Sequence, residues 1–335
     1  MGKIQCDICG SELVMLAGGR GAVCKNCGLE YSIERLREML SGGGQSSAPI
    51  VQTPAAPEER TPVDTNAMGL AAEEHEVLTE SSEQDFVLKK QFMGGYKLVG
   101  YKGCAQRVTF PAHWIEYDDH KLFEGHDEMV ELIFPVGYTN TAFKKGNFEN
   151  KPRLKKVVFG GDVLTSADDF KGCKALKHVA FENATMIQLG VGTFSDCVAL
   201  ESLRFSEDAE FDIQPEVFKN CRALKTFVAP RRSVDFAGEG IESGTFEGCT
   251  ALQRVVLPGN IKAIHKNAFK NCISLESVTT HDGDLRTVAI HPEAFSGSSF
   301  QPANAGFCPQ CGKQMRCSAN EMNCVCGFSA VQYEA

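Results

Sequence analysis

A phenylalanine frame, repeated down most of the chain, decides what this sequence can fold into. In residues 246 to 257, FEGCTALQRVVL, and 269 to 280, FKNCISLESVTT, Phe is followed by Cys three places on, Leu six on and Val nine on. The frame also opens at Phe218 (Cys221, Leu224, Phe227), Phe194 (Cys197, Leu200, Leu203) and Phe170 (Cys173, Leu176, Val179). Upstream it persists at Phe148, with Lys151 in the Cys slot, and at Phe123, with His126 there; Phe295 opens a copy that stops in Gly297-Ser298-Ser299. Successive Phe residues lie 25, 22, 24, 24, 28, 23 and 26 places apart. A period in the twenties predicts a solenoid.

One such repeat cannot stand alone. Burying about five apolar side chains yields roughly 7–15 kcal/mol, while ordering some two dozen residues costs about 1–2 kcal/mol each in backbone entropy. Coils must therefore stack, each covering the apolar face of its neighbour. In the Leu-x-x-Val-x-Leu strand the first, fourth and sixth side chains are expected to point inward and those between outward. The outward set reads Lys155, Lys156, Val158; Lys177, His178, Ala180; Glu201, Ser202, Arg204; Lys225, Thr226, Val228; Gln253, Arg254, Val256; and Glu276, Ser277, Thr279.

The frame resembles the BspA-type (treponemal) leucine-rich repeats of bacterial proteins, Ala-Phe-x-x-Cys-x-x-Leu-x-x-Val-x-Leu-Pro-x-x-Ile-x-x-Ile. Residues 249 to 269, CTALQRVVLPGNIKAIHKNAF, follow it almost letter for letter. Tyr96 to Gly103, followed by Val108-Thr109-Phe110-Pro111, is similar to the opening coil of such arrays. The resemblance implies a protein-binding scaffold rather than a chemistry. Many of its members are surface proteins, and a surface adhesin is one alternative it carries.

Fifteen cysteines, an odd number, separate into terminal clusters, the repeat column and Cys104. The column (Cys173, Cys197, Cys221, Cys249, Cys272) recurs once per coil, so it is expected to be a stack of small buried hydrophobes. The N-terminus, MGKIQCDICGSEL, has no apolar h-region, and no run approaches the ~18 apolar residues of a membrane span. Reduced thiols in a bacterial cytoplasm are the expectation.

The ends carry metal-ligand spacing. Cys6-x-x-Cys9-Gly10 and Cys24-x-x-Cys27-Gly28 are two knuckles with 14 residues between Cys9 and Cys24. Four thiolates make a closed tetrahedral zinc site with no position left for catalysis. Glu12 to Leu16 and Ala22-Val23 flank a glycine turn, Gly18-Gly19-Arg20-Gly21, so the module resembles a zinc ribbon, followed by a short amphipathic helix at 31 to 40. So small a module depends on its metal for stability. At the other end Cys308-x-x-Cys311 is a third knuckle, whose mate is Cys324-Val325-Cys326. A second ribbon is expected from Cys308, Cys311, Cys326 and a fourth ligand, Cys324 ahead of Cys317. The expected cofactors are two structural Zn²⁺.

The expected fold is mainly β: a leucine-rich-repeat solenoid of about seven coils with short helical turns, flanked by two zinc ribbons. The boundaries are 1–40 for the first ribbon and helix, 41–85 for an acidic linker, 86–303 for the solenoid and 304–335 for the second ribbon. Residues 41 to 85 hold nine acids against one Arg, a net −8 in a chain of net −9, so the acidity belongs to the linker. Upstream coils are basic. Lys155, Lys156, Lys177, His178, Arg204, Lys225, Arg231, Arg232 and Arg254 form the candidate partner-binding set, with Arg231-Arg232 in the longest repeat. Their clustering points to an acidic protein partner, with which the chain's own acidic linker would compete; nucleic acid is the alternative, disfavoured because no aromatic residues interleave with the bases. His265 and His291 share one repeat position, read as a turn slot rather than a site. No phosphate-cradling loop, nucleophile elbow or His-Glu-x-x-His motif occurs, so no enzymatic activity is expected.

Overall fold

A computed structural model describes residues 13–15, 21–24, 30–32, 36, 77–90, 96–111, 115–117, 122–136, 147–206, 208–233, 240–318 and 321–331. The fold is mainly β, a stacked array of short parallel strands around one apolar core. One row of the array pairs Arg107–Thr109, Glu131–Phe134, Lys156–Phe159, His178–Phe181 and Ser202–Arg204 side by side. A second row, Thr226–Val228, Arg254–Leu257 and Ser277–Thr280, continues it as a separate sheet. The other side of each coil adds Val163–Leu164, Met186–Leu189, Glu210–Ile213 and Arg232–Ser233, then Gly240–Ile241, Ala263–Ile264 and Ala289–Ile290.

Each feature of the frame has a physical role. The leading Phe rings stack from Phe123 to Phe295, with Phe148–Phe170 at 5.2 Å, Phe194–Phe218 at 5.9 Å and Phe269–Phe295 at 4.9 Å between centroids. Two places after the Phe the backbone turns left-handed, at Asn150, Asp196, Asn220 and Asn271 and at Gly172, Gly248 and Gly297. Only Gly, Asn and Asp adopt that conformation cheaply, which explains the residues found there. The Cys column is fully buried. Each thiol donates to the carbonyl of the Phe one coil earlier: Cys173 to Phe148 at 3.1 Å, Cys197 to Phe170 at 3.2 Å, Cys221 to Phe194 at 3.3 Å, Cys249 to Phe218 at 3.0 Å and Cys272 to Phe246 at 3.1 Å. Lys151 takes the same part with a longer arm. It is buried, and its Nζ donates to the Phe123 carbonyl at 2.5 Å.

A second stack, Phe110–Phe134–Phe159–Phe181–Phe205, fills the sixth strand position with centroids 4.5 to 5.2 Å apart. It ends at Ala229. There Phe227, at the fourth position, occupies the space instead, against Phe205 at 5.8 Å and Phe246 at 4.8 Å. The strand row divides in two at this exchange.

Both ends of the array are closed by local chain. Thr79 to Asp85 pairs with the first coil: Ser81 N–H donates to Arg107 O, and Arg107 bridges Glu80 and Glu131 at 2.5 and 2.6 Å. At the far end Ser298 and Ser299 donate to the carbonyls of Cys272 and Leu275, and Asn304 donates to Leu285 O. The interrupted last repeat is thus a cap.

Some expectations need correction. Val158, Val228 and Val256 are buried, although strand alternation placed them outward. Each stands in a ladder between register partners, as Val158 does between Ile133 and Ala180, and strands about 4.8 Å apart cover each other's short side chains. His265 and His291 do stand directly before turns, but both are buried, 3% and 4% exposed. The N-terminal hairpin is present: Leu13–Met15 pairs antiparallel with Gly21–Cys24, which pairs with Glu30–Ser32. Cys6, Cys9 and Cys27, residues 33–35 and 37–40 of the expected helix and linker residues 41 to 76 lie outside the described residues, while Tyr31 and Ser32, expected to open that helix, belong to the third strand.

Candidate functional site

Two sites emerge from the sequence-derived candidates. The first is on the strand row. Register pairing aligns Lys156, His178 and Ser202 across three coils, with Arg204 beside Ala180. Together with Glu182 they line a groove of about 300 Å³. His178 Nδ1 and Ser202 Oγ lie 2.8 Å apart, which ties two neighbouring coils across the groove floor. Lys155 and Lys177 stand exposed beside it, and Lys177 pairs with Glu201 at 3.6 Å.

The remaining bases do not join this groove. Lys225 and Arg254 belong to the neighbouring sheet, where Thr226 pairs with Arg254. Arg232 sits in a strand on the other side of the coil, paired with Glu210, and Arg231 adjoins it. The pair stands 13 and 14 places after Phe218, beyond the strand-row segment Thr226–Val228 of its own coil.

The second site is the C-terminal module. Arg316–Cys317, Glu321–Asn323 and Ser329–Val331 form a small antiparallel sheet. Its turns bring the Sγ atoms of Cys308, Cys311, Cys324 and Cys326 within 4.8 Å of one another. Cys308 and Cys326 are 3.7 Å apart, Cys311 and Cys324 3.4 Å. Gly312 and Gly327, each directly after a knuckle cysteine, take positive φ. Burial raises the Cys308 thiol, but the N–H groups of Cys311 and Gln310 and the neighbouring thiols outweigh it and bring it down to about 7. Such a set of thiolates can hold one metal ion. Cys317 stands apart, its Sγ 3.9 Å from Met315 O. The module rests on the side of the solenoid: Cys308, Met315 and Met322 pack on Ala263 and Ala289.

The repeat cysteines behave oppositely. Burial pushes Cys173 and Cys272 up to about 12 and the three between them well above the ordinary thiol value. Of His113, His120 and His126, which lie close in sequence without metal-ligand spacing, His126 alone is described; its Nδ1 is 3.2 Å from Glu128 Oε1 and its ring lies against Tyr101.

Residues 141–239 and 213–304 match the family model described as BspA type Leucine rich repeat region, in six copies. This is a leucine-rich-repeat protein. Its leucine-rich repeats are also similar to those of three solved structures. The T. pallidum leucine rich repeat protein is 20% identical, over 60% of this chain and 83% of that one, with a TM-score of 0.41. A leucine-rich repeat protein of Bacteroides ovatus is 19% identical over 57% and 55%, with a TM-score of 0.39. One of Eubacterium ventriosum is 23% identical over 60% and 61%, with a TM-score of 0.40. No curated protein matches the chain. Among the described residues no helix is long and apolar enough to cross a membrane.

Proposed function

We propose that this leucine-rich-repeat protein is a non-enzymatic scaffold that docks a protein partner on its strand row, with structural zinc at both ends. The observation that carries the docking is the groove in which Lys156, His178, Ser202 and Arg204 are brought into register from three coils. Basic side chains around a shallow groove favour an acidic segment of the partner. Zinc is the metal that four thiolates in a closed site select. Cys308, Cys311, Cys324 and Cys326 are its ligands at one end, and Cys6, Cys9, Cys24 and Cys27 at the other. A four-thiolate zinc site requires reduced thiols, which supports a cytoplasmic protein.

A photo-crosslinking residue in place of Ala180, inside the groove, tests the docking in cells, with Leu164 on another side of the coil as control. Protease-sensitive adducts at position 180, lost when Lys156 and Arg204 are both changed to Glu, are expected. Adducts digested by nuclease would replace the protein partner with nucleic acid.

A further inference from the structure

Gly240–Ile241, Ala263–Ile264 and Ala289–Ile290 pair in parallel, and the ladder runs one residue further, through His265 N–H to Ile241 O and His291 N–H to Ile264 O, both 2.9 Å. Glu242, His265 and His291 therefore occupy one position in three consecutive coils. They are 2%, 3% and 4% exposed. Two residues earlier on the same strands stand Gly240, Ala263 and Ala289, so alternation points both sets to the same side. The C-terminal module covers that side: Ala263 and Ala289 contact Cys308, Met315 and Met322, and His291 Nε2 donates to Ser318 O at 3.1 Å.

Among the described residues neither carboxylate oxygen of Glu242 has a hydrogen-bond partner. His265 Nε2 lies 4.0 Å from its Oε1. Gly240 makes that approach possible, since a Cβ there would lie 2.9 Å from the same nitrogen. Asp212, buried in the preceding coil, adds a second negative charge next to Glu242, while Lys266 and Glu293 act on His291. His291 accepts from Glu293 N–H at Nδ1, 3.0 Å, and donates from Nε2, so both its nitrogens are used in the neutral form.

We propose that Glu242 and His265 hold a single proton between them as a latch under the C-terminal module, closed while the proton is present and loosened when it leaves. Burial, then Asp212, raises Glu242 from 4.5 to about 8, and burial, then His291, lowers His265 from 6.5 to about 4. With one proton the pair is neutral; without it a carboxylate stands in the core beside Asp212 with no counter-charge.

The linkage has a definite sign. Glu242 is raised on folding, so its share of stability is lost as pH rises from 4.5 to about 8. His265 is depressed, so its share is lost as pH falls from 6.5 to about 4. The two slopes cancel between 4.5 and 6.5, leaving a plateau there and a decline from 6.5 to about 8. One proton corresponds to about a tenfold change in the opening equilibrium per pH unit.

Hydrogen-exchange protection factors across pH 4 to 9 in the full metal-loaded chain test the latch in segments 240–291 and 306–331. Both segments are expected to lose about tenfold protection per unit above pH 6.5. Glu242→Gln should remove that decline, and His265→Gln should turn the plateau into a slope beginning near 4.5. The infrared band of a protonated carboxyl at pH 7, absent in Glu242→Gln, gives the same answer without reference to stability. An unchanged alkaline decline in Glu242→Gln, or no such band, would overturn the shared proton. A decline confined to 240–291 would overturn the latch on the module.

Discussion

The exchange of large and small residues at Phe227 and Ala229 offers a quantitative test of how the coils pack. Phe227 is fully buried among the rings of Phe205, Phe211, Phe218 and Phe246, at 5.8, 6.2, 5.5 and 4.8 Å. Phe227→Val, which restores the residue of most other coils, removes about four carbons; at ~0.8 kcal/mol for each, plus a cavity term, this costs about 3–4 kcal/mol. Ala229 is fully buried too. Ala229→Phe alone overfills the site, at about 1–3 kcal/mol. The double variant recreates the sixth-position ring of Phe205 one coil on, with a net gain of only about two carbons over the parent, and should come back to within about 1.5 kcal/mol of it. A double-mutant cycle by urea denaturation, followed by circular dichroism, is therefore expected to show a favourable coupling of at least about 2.5 kcal/mol. Additive costs would refute the claim that the two positions share one packing volume.

Two further perturbations separate structural from reactive groups. In native reduced protein the five column thiols should resist a thiol reagent, because burial raises each of them and each already donates to a Phe carbonyl; a mass count showing any of them modified before unfolding would contradict this. Arg107→Met severs two ion pairs at once, to Glu80 and Glu131, and should raise hydrogen exchange in residues 79–90 while changing global stability by about 1 kcal/mol or less. Unchanged exchange there would show that strand pairing alone closes the first coil.

The Phe-Cys-Leu-Val frame made the solenoid legible because each letter has one buried place per coil. Cys173 to Cys272 sit in the core as the spacing required. Lys151 shows how far the frame reaches, since a residue that breaks the pattern keeps its hydrogen bond. The burial of Val158, Val228 and Val256 was hidden because alternation says which face a side chain takes, not how closely the neighbouring coils cover it. Arg231 and Arg232 stand off the strand row because they follow Thr226–Val228 in the same coil and enter the strand on its other side. The file of Glu242, His265 and His291 was half visible: each stands four residues before a leading Phe (Phe246, Phe269, Phe295), but that spacing does not show that the carboxylate is buried with the two rings. The cysteine knuckles at the C-terminus predicted their own grouping, and the three-dimensional clustering also separates Cys324 from Cys317, which spacing left open.

The most direct test of a scaffold stapled by zinc at both ends is metal content per chain, measured on protein purified under reducing conditions and again after Cys311→Ser. The account predicts two zinc ions in the parent and one in the variant, with the four thiols of Cys308, Cys311, Cys324 and Cys326 becoming reactive in the parent on chelation. A metal-free parent with these cysteines joined in disulfides would contradict it, and would move the protein to an oxidising compartment.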